Sequence, residues 1–119
     1  MMPGNRKLFF YKEYFREFYS AQTTKVRNKI LWTLQIIENI EHVPELYFKH
    51  LEGTEGLYEI RVQSGSNIFR IFCFFDKENL IVVGNGFQKK TQKTPVKEID
   101  RAEKIKNEYY AEKQKSRQP

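Results

Sequence analysis

The sequence has a single cysteine, Cys73, so it cannot form an intramolecular disulfide, and a disulfide scaffold is excluded. Its two histidines, His42 and His50, sit eight positions apart with no carboxylate cluster beside them. They read as ordinary surface or loop residues, and no metal site is expected. No apolar run approaches the roughly 18 residues that a membrane span requires. The N-terminus has no apolar region followed by a small-residue cleavage site, so neither a membrane location nor secretion is expected, and the default compartment is a reducing cytoplasm. Glycine-rich phosphate loops are missing too, because Gly84–Asn85–Gly86 fits neither GxxxxGK nor GxGxxG spacing. No serine-hydrolase elbow or paired-carboxylate arrangement is present.

What is present is a chain of one-domain length, 119 residues with 39% hydrophobic and 15% aromatic content. That is too apolar for a disordered chain. The net charge of +6 is uneven: residues 89–119 hold ten Lys/Arg against five Asp/Glu, whereas residues 1–88 hold eleven against ten. Lys89, Lys90, Lys93 and Lys97 fall in a stretch with no acid. A local excess of this kind focuses positive potential and favours polyanions, although a solvated lysine cluster without a partner has the same composition. The segment lacks the broad apolar face of a membrane-surface helix.

Along the chain, Arg6–Phe10 reads as a short strand. A helix is expected from about Tyr11, with Tyr11, Tyr14, Phe15, Phe18 and Tyr19 forming one aromatic stripe that packs a core. A second helix, capped by Ser20 or Thr24, is expected to run to about Asn39 and bury Val26, Ile30, Leu34 and Ile37. Trp32 lies off that line, as a rim contact or partner anchor, and Pro44 marks a loop. Leu57–Val62, with Tyr58, Ile60 and Val62 on one side and Glu59 and Arg61 on the other, Ile68–Phe75 and Leu80–Val83 read as three antiparallel strands with short connections. Gly84, Gly86 and the polar stretch after them are expected to end the sheet. Thr94 and Pro95 suit the start of a last helix, and residues 111–119 are expected to form a disordered tail after a 1–110 domain.

On the middle strand Arg70 interrupts a run of Ile, Phe and Cys. Alternation places it with Phe72 and Phe74, opposite Phe69, Ile71, Cys73 and Phe75, so its guanidinium must find a partner or open into a gap in the covering layer. Cys73, with no basic neighbour, reads as a buried inert thiol. Arg61 either pairs with Glu59 or Glu55 or joins Arg70 and the Lys89, Lys90 and Lys93 group as a phosphate-binding set. Guanidinium grips two phosphate oxygens at once, and lysine supplies point charge.

The segments LYEIRV (57–62), FRIFCFF (69–75), LIVVGNGFQKKTQKTP (80–95) and EIDRAEKIKNEYY (98–110) occur in an order that resembles the RelE/HigB superfamily of type II toxin–antitoxin toxins, in particular its phage Gp49-like branch. The resemblance covers about residues 46–110; the first 45 agree in organisation only. It implies a small α+β domain, with an N-terminal strand and helical hairpin packed on a curved, mainly antiparallel sheet and a C-terminal helix, as in RelE- and ParE-like toxins. It also implies a ribosome-dependent, metal-independent mRNA endoribonuclease that needs no cofactor and is held in check by a cognate antitoxin, with mRNA and the ribosome as further partners. Self-association is left open.

Carried over by motif, the resemblance makes Arg70 the contact to the scissile phosphate and gives Arg61 a positioning or proton-transfer role. Lys90, with Lys89, becomes a further cationic catalytic residue. Phe87, Thr91 and Lys93 would shape a base pocket or hold backbone, and Lys49 and His50 would contact RNA. No residue matches the late Tyr, His or Asp of related nucleases, and Glu59 stands where some relatives carry lysine, so the general base has no assignment. Two other readings are a ParE-like toxin that targets gyrase and an inactive nucleic-acid- or protein-binding phage accessory protein.

Overall fold

A computed structural model describes residues 6–90 and 94–116. The elements in chain order are β1 (Lys7–Phe10), α1 (Tyr14–Ser20), α2 (Thr24–Asn39), β2 (Phe48–His50), β3 (Leu57–Ser64), β4 (Asn67–Phe75), β5 (Leu80–Lys89) and α3 (Val96–Ser116). The strands form one sheet in the order β1-β5-β4-β3-β2; β1 runs parallel to β5, and the other neighbours pair antiparallel. This is the expected small α+β domain of RelE/ParE-like type. Among the described residues no helix is long and apolar enough to cross a membrane.

Local chemistry sets the main boundaries. Thr23, one residue before the expected Thr24, caps α2 by accepting the Val26 N–H at 3.3 Å. At the other end of α2, Arg6 donates to the carbonyls of Ile37 and Ile40 at 3.0 and 2.8 Å, so a cation sits where the helix leaves its carbonyls unpaired. The same contact ties the start of β1 to α2. The β3–β4 hairpin closes between Ser64 and Asn67, with Gly65 at φ +62°, a backbone region that only glycine adopts without strain.

Both faces of the sheet are covered, unequally. One face packs Ile60, Val62, Phe69, Ile71, Cys73, Ile81 and Val83 against Phe15 of α1 and the Val26, Ile30, Leu34 and Ile37 line of α2. The other face packs Leu57, Phe72, Phe74 and Val82 against Ala102 and Ile105 of α3. The alternation expected for β3 and β4 holds at every one of these positions, and burial pushes the Cys73 thiol pKa upward, in keeping with an inert side chain.

Several expectations are corrected. Helix α1 starts at Tyr14, and its aromatic stripe is divided: Tyr11 and Tyr14 pack with α3, while Phe15, Phe18 and Tyr19 pack with α2. Lys12, at φ +53°, turns the chain between β1 and α1. The segment expected as a loop holds β2. Strand β5 does not stop at Val83 but continues to Lys89. Pro95, not Thr94, immediately precedes α3, its carbonyl accepting the Ile99 N–H at 3.2 Å.

Helix α3 also continues to Ser116, past the expected boundary at residue 110. Polar anchors hold it where apolar periodicity has run out. Asp76 accepts hydrogen bonds from Tyr109 at 2.6 Å and Lys113 at 2.5 Å, and Lys12 pairs with Glu108 and Glu112 at 2.7 and 2.8 Å.

Candidate active site

Helix α3 covers only part of its sheet face. Beyond it, adjacent strands present polar side chains to one open groove of about 730 Å³. Cross-strand neighbours in an antiparallel pair share a face, so the register identifies what faces the groove. Lys49 of β2 stands opposite Glu59 of β3, Arg61 of β3 opposite Arg70 of β4, and Lys89 of β5 opposite Ile68 of β4. Together with Lys90 and a second carboxylate, Glu52, these four cations and Glu59 line the groove.

Lys89 reaches this face through an irregularity in β5. Ile71 pairs with Gly86, yet Cys73 pairs with Val83, so β5 carries one extra residue across that interval. Such a bulge reverses the alternation that follows it. Val82 packs under α3, and strict alternation from it would send Phe87 and Lys89 to the opposite face. The bulge restores both to the side of Arg70. Gly86 then faces α1 so closely that a Cβ there would lie 2.6 Å from the Phe18 ring, so any side chain would force β5 or α1 to shift.

Arg70 is 4% exposed and Glu59 3%. Arg70 Nη1 donates to Glu59 Oε1 at 2.8 Å. Glu59 Oε2, Arg70 Nε and Arg61 Nε are buried without a hydrogen-bond partner. The site therefore holds one acceptor and two donors unused, where such groups are ordinarily satisfied. Burial lowers the Arg70 pKa, Glu59 opposes that shift and Arg61 adds to it. Burial likewise lowers the Lys89 pKa, followed by the Arg70 charge, while Glu59 opposes it. Like charges crowded together raise the energy of the free protein and leave room for an anion to relieve it.

The structure brings Arg61, Arg70, Lys49, Lys89 and Lys90 to one groove, and among the described residues no ion pair joins Arg61 to Glu59 or Glu55. It places two other expected residues elsewhere. His50 lies opposite Tyr58, on the far side of the sheet from Lys49, with its ring edge-on to Tyr58 at 5.3 Å. A strand, where a loop was expected, causes this, because successive side chains then alternate. Phe87 stands opposite Arg70, but its ring packs on Phe72 at 5.4 Å, making it a wall between the α3 core and the groove. Thr91 and Lys93 lie outside the described residues. Sequence reasoning weighed Glu59 as a partner for Arg61, whereas the structure pairs it with Arg70; the shared face of β3 and β4 was the available signal. Among the described residues no group of three or more His, Cys, Asp or Glu is placed to hold a metal.

The sequence has known relatives. Over 62 residues the chain is 36% identical to sterol-4-alpha-carboxylate 3-dehydrogenase, decarboxylating, of Dictyostelium discoideum; the match takes in 52% of this chain but only 19% of that protein's length. A far larger share of the chain, residues 17–107, matches the phage-derived protein Gp49-like (DUF891) family pattern. That span runs from α1 into α3 and contains every groove residue named above. The chain belongs to the phage-derived Gp49-like family, consistent with the phage branch of the RelE/HigB toxin superfamily.

Proposed function

We propose that this protein is the toxin of a type II toxin–antitoxin pair and cleaves mRNA at the ribosome without a metal ion. The observation that carries the reading is the Arg61–Arg70 pair, opposed across β3 and β4 at the floor of an open groove with Lys89 and Lys90 at its side. Two guanidinium groups and two ammonium groups converging on one hollow suit a phosphate that gains charge during reaction.

The chemistry follows from the groups present. Glu59 Oε2 accepts the proton of a ribose 2′-hydroxyl as its oxygen attacks the adjacent phosphorus. Arg70 and Arg61 stabilise the charge that develops on the phosphorane oxygens. The bond from phosphorus to the 5′-oxygen breaks, and Lys89, whose ammonium is made more acidic by burial, donates a proton to the leaving oxygen. The products are a 2′,3′-cyclic phosphate and a 5′-hydroxyl. Lys49 and Lys90 hold flanking phosphates. Glu59 serves as an acceptor without repelling the substrate strongly, because its other oxygen is engaged by Arg70. A partner antitoxin with an acidic segment would neutralise the same groove.

The test maps 5′ ends on a model message carried by translating ribosomes, with wild type, Arg70→Ala and Lys90→Ala, each with and without chelator. Cuts inside the reading frame that persist in chelator and vanish with Arg70→Ala are expected. Cleavage that stops in chelator, or an intact message alongside trapped gyrase–DNA complexes, overturns the reading.

A further inference from the structure

Three hollows meet around the β3–β4 turn. Arg61 lines the groove described above and also a second hollow of about 260 Å³, with Lys29, Tyr47, Gln63 and Gly65. Lys29, Gln63 and Gly65 in turn line a third hollow of about 460 Å³, which reaches Lys25 and Trp32 on α2. Shared walls make the three one continuous surface track. Its second and third sections are lined by Lys25, Lys29 and Arg61 and by no Asp or Glu.

Lys25, Lys29 and Trp32 are spaced four and three apart on α2, which puts them on one stripe beside the buried Val26, Ile30 and Thr33 line. Trp32 is 44% exposed, so core packing does not account for it. Its indole meets Tyr47 edge-on at 5.6 Å, and Lys29 Nζ sits 4.1 Å from the ring centroid. Among the described residues the ammonium has no ion-pair partner, and the ring's quadrupole holds it only weakly at an exposed site. A phosphate nearby competes for that ammonium, and the ring face is freed as it leaves. Cations that track a backbone, interleaved with exposed aromatic rings, are the means by which proteins hold single-stranded nucleic acid.

We propose that a single RNA strand lying across Arg61 and Arg70 continues past the β3–β4 turn onto the Lys25–Lys29–Trp32 stripe. There the lysines take phosphates, and Trp32 with Tyr47 stacks an unpaired base. This rests on the reading of the groove as an RNA site and adds a second subsite to it.

Trp32 is the sole tryptophan of the chain, so intrinsic emission reports on this subsite directly. The full chain is titrated at low salt with a single-stranded dinucleotide and a decanucleotide of RNA, with Arg70→Ala as the control for the groove and with the double variant Lys25→Glu/Lys29→Glu. Lys25 lies in the first turn of α2, where acid suits the helix dipole, and Lys29 lies one turn further on; folding of the double variant is checked by circular dichroism. The decamer is expected to quench Trp32, the dinucleotide to bind without quenching. The double variant is expected to bind the decamer at least about tenfold more weakly, with a salt slope smaller by about 1.4, as for two lost single-strand phosphate contacts. The dinucleotide should bind it as it binds wild type. If the decamer binds in an Arg70-dependent way yet leaves emission and double-variant affinity unchanged, the subsite is refuted and the groove reading stands. If neither oligomer binds and translated messages stay intact, both fall. Quenching by an acidic amphipathic peptide but not by RNA makes the stripe a protein-docking surface and overturns the proposal.

Discussion

Glu59 and Arg70 form an ion pair at 2.8 Å between neighbouring strands, and each is more than nine-tenths buried. One carboxylate oxygen holds the arginine while the other is buried without a hydrogen-bond partner, in a residue that lines the groove. The pair thus has two separable parts: a bond that orients the guanidinium and an acceptor that the proposed mechanism uses as its base. Substituting Glu59→Gln keeps a carbonyl to receive the Arg70 N–H but removes the base. Cleavage is expected to fall by about 10²–10⁴-fold, the usual worth of general-base catalysis, while RNA binding is kept or tightened by the loss of negative charge. Single-turnover rates beside equilibrium binding separate the two effects.

Truncating either member of the pair strands the other. Glu59→Ala leaves a buried guanidinium uncompensated, and Arg70→Ala leaves a buried carboxylate; each is expected to lower stability by about 3–5 kcal/mol in urea unfolding. Arg61→Ala behaves differently. It removes a cation directly opposite another cation, so stability should hold or rise by under about 1 kcal/mol, whereas cleavage should fall by about 10²–10³-fold if its guanidinium meets the phosphorane. A variant that folds as well as wild type and reacts far more slowly marks Arg61 as a group kept for the reaction.

Much of this architecture was legible in the sequence. Alternation alone put Glu59 and Arg61 on one face of β3 and Arg70 with Phe72 and Phe74 on β4, because a strand buried on both sides leaves no other way to read an isolated arginine. The α2 core line was equally clear from its helical spacing. What escaped were features that depend on non-local geometry. Gly84 and Gly86 resemble strand terminators, yet they allow a bulge that sends Lys89 back to the side of Arg70. Three-residue β2 is too short to display a period, so His50 looked free to reach the site. The last turns of α3 are held by Asp76 and Lys12, side chains far away in sequence, which no local pattern reveals.

Gly86 tests the bulge. A methyl group there would press against Phe18 at 2.6–2.9 Å, and the neighbour is an aromatic ring packed on the core. Gly86→Ala is expected to cost about 1–3 kcal/mol, the range for overpacking. Because relief requires β5 or α1 to shift, Phe87 and Lys89 would move with the strand, and cleavage should drop more than stability predicts. Phe18→Ala combined with Gly86→Ala opens the space and should restore part of the rate, a coupling that a double-mutant cycle measures.

Lys89 sets the expected pH behaviour. Burial first, and then the Arg70 charge, lower its pKa in the folded protein below that of the unfolded chain. In the interval between the two values the unfolded chain binds more protons, so this group makes stability rise with pH. Its cost is fully present below the folded pKa and disappears as pH climbs through the unfolded value near 10.4. Lys89→Met should therefore be the more stable protein at neutral pH, and its advantage over wild type should shrink steadily under alkaline conditions. The proposed reaction runs in the other sense, because its proton donor would be lost as the ammonium titrates: the wild-type rate should fall on the alkaline side, and the residual rate of Lys89→Met should lack that limb. Paired urea titrations and single-turnover rates from neutral to alkaline pH measure both. An alkaline limb that survives in Lys89→Met assigns the titrating acid to another residue.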